Sequence, residues 1–230
     1  MSRAFNDDSA AMNAYQLVGQ LSTFFDRMMT NSGLPARLVL EIFWGLDDDA
    51  YKKFLKQAFA GLPENFSGKL LEVPVGTGVL SLPVYKKLVD AEIFCLDYSD
   101  KMLEAAKARA FKINLHGVKF LQGDVAQLPF EDNFFDLVLS INGFHAFPDK
   151  IAAWNETYRV LKSGGTFCGC MYVKGENKRT DLFVNQFCDR QKLFYPPHET
   201  LNTLNNRLTS RYSRAEVSNV ESFAGFVCIK

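Results

Sequence analysis

Leu70-Leu71-Glu72-Val73-Pro74-Val75-Gly76-Thr77-Gly78 is the stretch on which the reading of this chain turns. An apolar run ends in an acid, then turns through two glycines spaced by one residue. An amphipathic segment follows from Val79 to Val89. This order predicts a buried strand, a tight loop and a helix. Glycine lets the loop backbone come close to a ligand. The acid at the strand end argues against a plain phosphate site, because a carboxylate repels an anion and attracts a cation.

Moving outward, strands and helices alternate from Gly68 onward. Lys69–Val73 and Glu92–Leu96 read as the first two strands, the second ending at Asp97. Ser99 caps a helix through about Lys112, with Met102, Leu103 and Ala106 on one face. Val118–Leu121 and Phe135–Leu139 read as strands three and four, ending near Asp124 and at Ser140. A helix starts at Pro148-Asp149 and stops at Ser163-Gly164-Gly165, with Lys162 favourably placed in its last turn. Thr166–Val173 is strand five. Such alternation predicts a parallel, doubly wound sheet, which binds ligands at the carboxyl ends of its strands. After Lys174 the alternation breaks. Residues 175–208 are polar around an aromatic helix interrupted by Pro196-Pro197, and the end of the chain reads as two strands with a turn near Ser218-Asn219. Before residue 67 the chain reads as helical. Leu17, Leu21, Phe24, Phe25, Met28 and Met29 recur at helical spacing, and Asp47-Asp48-Asp49 caps a helix running to about Ala60.

The polar residues gather in a telling order. Glu72, Asp97, Asp124 and Ser140 each close a strand, and a doubly wound sheet brings all four ends to one edge. An acid at one strand end commonly serves only as a cap; four polar strand ends in succession point to a site.

These motifs resemble the class I S-adenosylmethionine-dependent methyltransferases, in the small-molecule branch that includes ubiquinone and menaquinone biosynthesis enzymes. The resemblance covers roughly residues 68–174. Glu72 to Gly78 is similar to the family's first motif, Asp97 to its ribose carboxylate, and Gly123–Phe130 to its adenine segment. Phe135–Ser140 is similar to the fourth-strand motif and Arg159–Gly165 to the turn into strand five. The resemblance implies a three-layer Rossmann-like α/β fold with a seven-stranded, mostly parallel sheet and an antiparallel last strand. It implies a core over residues 67–230, with a lid insertion at about 175–208, and a helical cap over residues 1–66. S-adenosylmethionine is the implied cofactor and S-adenosylhomocysteine the product. The implied cofactor-binding residues are Glu72, Gly76, Thr77, Gly78, Asp97, Tyr98, Met102, Asp124, Val125 and Ser140. Two ribose hydroxyls suit an ionised Asp97, Glu72 suits the cationic end, and Tyr98 and Met102 suit the adenine faces. Asp124 suits the exocyclic amine and the Val125 N–H a ring nitrogen. Phe25, Asn142 and His145 are the expected substrate residues, with His145 as the candidate base. Phe24-Phe25-Asp26-Arg27 is similar to the segment that relatives fold over the cofactor. Pro74 departs from the glycine usual in the first motif and stiffens the loop.

Two other classes stay open on these residues. A glycine turn with an acid about 20 residues on also marks dinucleotide sites. Tyr158 and Lys162 form a Y-x-x-x-K pair like that of short-chain dehydrogenases, although Ser81 stands at the third glycine position. A cofactor-binding protein without transfer activity would carry the same motifs.

Composition narrows the classes further. The 230 residues suit one domain with a cap, and Lys+Arg and Asp+Glu both total 26, which leaves no basic footprint for a nucleic acid. No apolar run approaches the ~18 residues of a membrane span. Residues 1–8 lead into no apolar h-region, and the five cysteines form no C-x-x-C pair. A reduced, cytoplasmic protein is expected, acting on a small, apolar or aromatic acceptor. His116, His145 and His198 lack ligand spacing, so no metal is expected.

Overall fold

In the computed structural model, which describes residues 22–230, β1 (Gly68–Glu72) lies inside a seven-stranded sheet of order β3-β2-β1-β4-β5-β7-β6. Its neighbours are β2 (Ala91–Asp97) and β4 (Phe135–Ile141), both parallel to it; Leu70 is opposite Ile93 on one side and Leu137 on the other. Beyond them lie β3 (Lys119–Gln122) and β5 (Leu161–Tyr172), also parallel. β7 (Phe223–Ile229) runs antiparallel to β5, and β6 (Arg214–Val220) closes the edge antiparallel to β7. The chain winds outward from β1 to β3, then returns to β4 on the other side of β1. That reversal opens a crevice at the carboxyl ends of β1 and β4, where doubly wound sheets hold ligands.

Both faces of β1 are buried, which explains its continuous apolar run. Leu71 packs with Val138, Trp154, Phe167 and Leu204 on one face. Leu70 packs with Leu82, Ile93, Leu103 and Leu137 on the other. The first face is covered by α6 (Lys150–Val160) and α8 (Leu201–Thr209), the second by α4 (Leu82–Tyr85) and α5 (Asp100–Lys112). Among the described residues, three helices precede the sheet: α1 (Ser22–Met29), α2 (Leu34–Trp44) and α3 (Asp48–Ala58). Leu40, Phe54 and Ala58 from this group pack on Cys170 and Phe223. The expected caps are present. Asp47 accepts from the N–H groups of Asp49 and Ala50, Ser99 from Met102, and Asp149 from Ala152. The helical run expected through Leu17 and Leu21 lies outside the described residues.

Four expected boundaries differ. The segment Val79–Val89 holds only the single-turn helix α4; Pro83 stands in its first turn, and Lys87 and Leu88 continue as tight turns bonded to Val84 and Tyr85. Helix α6 stops at Val160, and β5 begins at Leu161 rather than Thr166. The Gly164-Gly165 pair therefore lies within β5, beside a shift in its register with β4. Lys162 is a strand residue whose ammonium meets Asp136 at 2.6 Å. The last hairpin turns at Glu221-Ser222, with Glu221 at φ 50°, not at Ser218-Asn219. In the insertion, α7 (Lys178–Phe183) runs into a π turn over Val184–Cys188.

Candidate active site

The glycine loop starts where β1 ends and is fastened on both sides. The Val73 N–H donates to Leu139 of β4 and the Val75 N–H to Leu96 of β2, each at 3.0 Å. Pro74 lies between these bonds, joined to Val73 by a cis peptide. Gly76 and Gly78 have φ of 56° and 65°, the left-handed region where a Cβ is unfavourable. A cavity of about 100 Å³ lies against the loop, lined among others by Glu72, Thr77, Ser81, Met29, Ile141 and Asn142.

Glu72 is buried at 2% exposure. Its Oε2 accepts from the Tyr85 hydroxyl at 2.9 Å and faces the Cys95 thiol at 3.8 Å. Burial pushes its pKa up to about 8, against the pull of the Ser81 and Tyr85 hydroxyls. A buried carboxyl in that condition gains from a cation beside it.

Asp97 ends β2 and is equally buried. Its Oδ2 accepts from the Gly76 N–H at 2.7 Å and its Oδ1 from the Ser99 N–H at 2.9 Å. Burial raises its pKa to about 6, offset by these backbone donors. The carboxylate thus fixes the glycine loop, and each oxygen keeps capacity for one more donor. Met102 is buried in the first turn of α5, and Tyr98 is half-buried, its carbonyl accepting from Gln122 at 3.2 Å. Asp124 is exposed, and its Oδ1 caps the short turn Val125–Gln127 through the Ala126 N–H at 2.8 Å. Val125 is buried beside it. The Gly123 N–H donates to the Asp97 carbonyl at 3.0 Å, so the ends of β2 and β3 are tied together. Ser140 is fully buried, and its Oγ has no hydrogen-bond partner in the structure.

The expected substrate residues divide. Asn142 lines the cavity in a left-handed conformation of φ 56°, with Nδ2 3.8 Å from the Met29 sulfur. Phe25 belongs to α1, but its side chain lies outside what the structure describes. His145 is a correction. It is buried with Nδ1 accepting from the Tyr172 N–H at 2.9 Å and with Phe194 against its ring. Burial, with His198 and Lys150 nearby, pushes its pKa well below the usual value. It is absent from the cavity lining and supports the insertion instead.

Two groups, Tyr85 and Arg109, escaped the sequence reading, and Asp26 entered it only as part of a segment. Tyr85 holds Glu72. Asp26 of α1 accepts from the Thr77 hydroxyl. Arg109 of α5 pairs with Asp26 and donates from Nε to the Thr77 carbonyl at 3.0 Å. Asp26 carried a signal in its aromatic-Asp segment; Arg109 carried none. The Tyr158–Lys162 pair is nowhere near the crevice, since Asp136, the partner of Lys162, lies at the opposite end of β4 from Ser140.

Residues 71–169 match the methyltransferase domain family. Over 118 residues the chain is 34% identical to demethylmenaquinone methyltransferase of Staphylococcus aureus (strain JH9), covering 51% of this chain and 48% of that one. The chain thus spans about half the length of the curated relatives it matches. Among solved structures it is similar to the YcgJ protein of Bacillus subtilis, with TM-score 0.60, 21% identity, and 75% and 71% of the two chains covered. It is also similar to phosphoethanolamine N-methyltransferase 2 of Haemonchus contortus in complex with S-adenosyl-L-methionine, with TM-score 0.65, 18% identity, and coverage of 78% and 52%. The fold therefore matches the expectation, antiparallel last strand included. No described helix is long and apolar enough to cross a membrane.

Proposed function

We propose that this protein transfers the methyl group of S-adenosylmethionine to a small, apolar or aromatic acceptor. The observation that carries the reading is the pairing of a buried, cavity-lining Glu72 with a glycine loop held by Asp97 at the sheet's switch point. Glu72 and Asp97 fit the group chemically. One is a desolvated carboxyl that a cation would ionise, and the other is a carboxylate with room for hydroxyl donors. When bound, the cofactor supplies a methyl group already attached to a good leaving group. The chain's own work is then to bind, align and exclude water. Glu72 would face the ammonium and sulfonium charges, Asp97 the ribose, and Asp124 with the Val125 N–H the adenine.

The acceptor arrives already nucleophilic. Among the described residues that line the cavity, Glu72 is the one titratable group, and it is engaged with Tyr85. His145 is sealed against Tyr172. An ionised phenol or an electron-rich ring carbon needs no base, whereas a neutral alcohol does. The cavity wall of Met29, Val75, Val79, Leu80 and Ile141 suits an apolar ring. The name of the Staphylococcus aureus relative gives demethylmenaquinone as its acceptor. The helices before residue 67 and the insertion at 175–208 act as cap and lid. They meet through Trp44, whose ring lies 5.6 Å from Phe183 and 6.0 Å from Phe194. Five free cysteines suit a reducing, cytoplasmic compartment.

Thermal melting with S-adenosylhomocysteine and with NAD(P) tests the cofactor. Stabilisation by the dinucleotide alone would sink the reading. Turnover is then assayed with reduced naphthoquinone and simple alcohol acceptors. Methylation confined to alcohols would reject the activated acceptor.

A further inference from the structure

Helix α1 lies against the cavity on a fixed pivot and a breakable contact. At its C-terminal end the Tyr51 hydroxyl donates to the Met29 carbonyl at 2.5 Å, and Asn31 Nδ2 donates to Asp48 at 2.8 Å. These bonds tie the end of α1 to α3. Nearer its middle, Asp26 reaches the glycine loop. One carboxylate oxygen accepts from the Thr77 hydroxyl and the other from the Arg109 guanidinium. Arg109 also donates to the Thr77 carbonyl at 3.0 Å. Cap helix, loop and α5 thus meet at one carboxylate.

This contact matters because of what it closes. With α1 in place the cavity beside Glu72 measures about 100 Å³. Small-molecule sites usually occupy about 300–1,000 Å³. Met29 forms part of its wall and lies one turn after Asp26, on the same side of α1. Turning α1 about its bonded end to move Asp26 off the loop therefore swings the Met29 side chain off the cavity, while the Met29 carbonyl stays on Tyr51. The Asp26 and Arg109 side chains are 21% and 27% exposed, so water partly screens the pair and can replace it.

We propose that Asp26 and Arg109 form the latch of α1, with Arg109 a positioning residue that controls both entry and release of the cofactor. The proposal rests on the cofactor reading above. Opening breaks the two contacts at Asp26 while the pivot at Met29 and Asn31 stays. Closing returns Met29 to Asn142 and shields the loop from water.

The test compares the wild-type protein with Arg109→Gln, Arg109→Lys, Asp26→Asn and the double variant Asp26→Asn/Arg109→Gln. Association and dissociation rates of S-adenosylhomocysteine are read by stopped flow. A latch predicts that Arg109→Gln speeds release by about tenfold and also speeds entry, since a looser helix obstructs both. Arg109→Lys keeps the charge and restores part of the effect. The double variant resembles either single one, because both contacts act through one carboxylate. Faster release with unchanged entry would mean a lost contact rather than a gate, and overturns the proposal. Unchanged rates overturn it too. Amide hydrogen exchange of α1 without ligand reads the latch separately. Faster exchange in Arg109→Gln at an unchanged melting temperature supports it, and equal exchange refutes it. A wild-type protein that shows this exchange response and yet binds neither S-adenosylhomocysteine nor S-adenosylmethionine overturns the cofactor reading, and with it the gating role.

Discussion

Replacing Glu72 by Gln should stabilise the protein, and by an amount that grows with pH. Glu72 is buried at 2% exposure, and its pKa rises from the ordinary 4.5 to about 8, chiefly through desolvation. Below the ordinary value both folded and unfolded states hold the proton, and the residue contributes nothing that depends on pH. Between the two values only the folded state holds it, so stability falls by about 1.4 kcal/mol per pH unit. Above about 8 the fall is complete, at roughly 5 kcal/mol. Glutamine has no such titration, and its amide oxygen still accepts from Tyr85. The variant's advantage should therefore increase by about 3 kcal/mol between about pH 5 and about pH 7.5. For a chain of this size that corresponds to a melting-temperature gain that widens by about 6–12 °C. Urea or thermal unfolding of both proteins across that range reads it directly. Melting curves that stay parallel with pH would refute the raised pKa and the argument built on it. The same substitution removes the charge a cationic cofactor needs. S-adenosylmethionine should then stabilise the wild-type protein and leave the variant nearly unmoved.

Four further outcomes follow from the same geometry. Asp97→Ala removes the carboxylate proposed to accept both ribose hydroxyls, and at about 1.5–3 kcal/mol for each charge-assisted bond, S-adenosylhomocysteine should bind at least about 100-fold more weakly in calorimetry. Unchanged affinity would reject the ribose assignment. In the wild-type protein that affinity should fall as pH drops through about 6, where Asp97 takes up a proton and loses its acceptor capacity. Gly143→Ala places a Cβ 2.4 Å from Pro74 Cδ and 2.7 Å from Ser140 Oγ, so thermal unfolding should show a loss of about 1–3 kcal/mol. His145→Asn keeps an acceptor for the Tyr172 N–H, so the acid limb of the kcat–pH profile should not move; its disappearance would restore His145 as a base.

The sheet was legible because its determinants are local. Leu70 and Leu71 face opposite layers, so their adjacency announces a strand covered twice. Ser99, Asp47 and Asp149 are caps whose partners lie two or three residues away, well within the reach of a sequence pattern. The boundaries that moved were settled by partners elsewhere. Gly164-Gly165 looks like a helix stop, yet Leu161 already pairs with Phe135 and Lys162 with Asp136, which draws the segment into β5. His145 misled for the same reason. Its position after β4 suggested the reacting centre, but the Tyr172 N–H and the Phe194 ring hold it under the insertion.

The candidate site divides along the same line. Glu72, Asp97 and the glycines belong to strand ends, and a parallel sheet gathers strand ends by construction, so their meeting at one edge could be read from the order of strands. What controls access could not. Asp26 and Arg109 stand 83 residues apart, on helices whose own patterns give no reason to pair them. Arg109 falls in the last turn of α5, where a basic residue already has an ordinary explanation in the helix dipole. Its second partner, the Thr77 carbonyl, is a backbone atom and leaves no trace in the sequence. The glycine loop thus specifies what lies against it, while the fold, by bringing α1 and α5 together over Thr77, decides how a ligand reaches it. Substitutions at Glu72 or Asp97 should accordingly change the equilibrium for cofactor binding. Substitutions at Arg109 should change the two rates that make it up, and that separation distinguishes a site from its door.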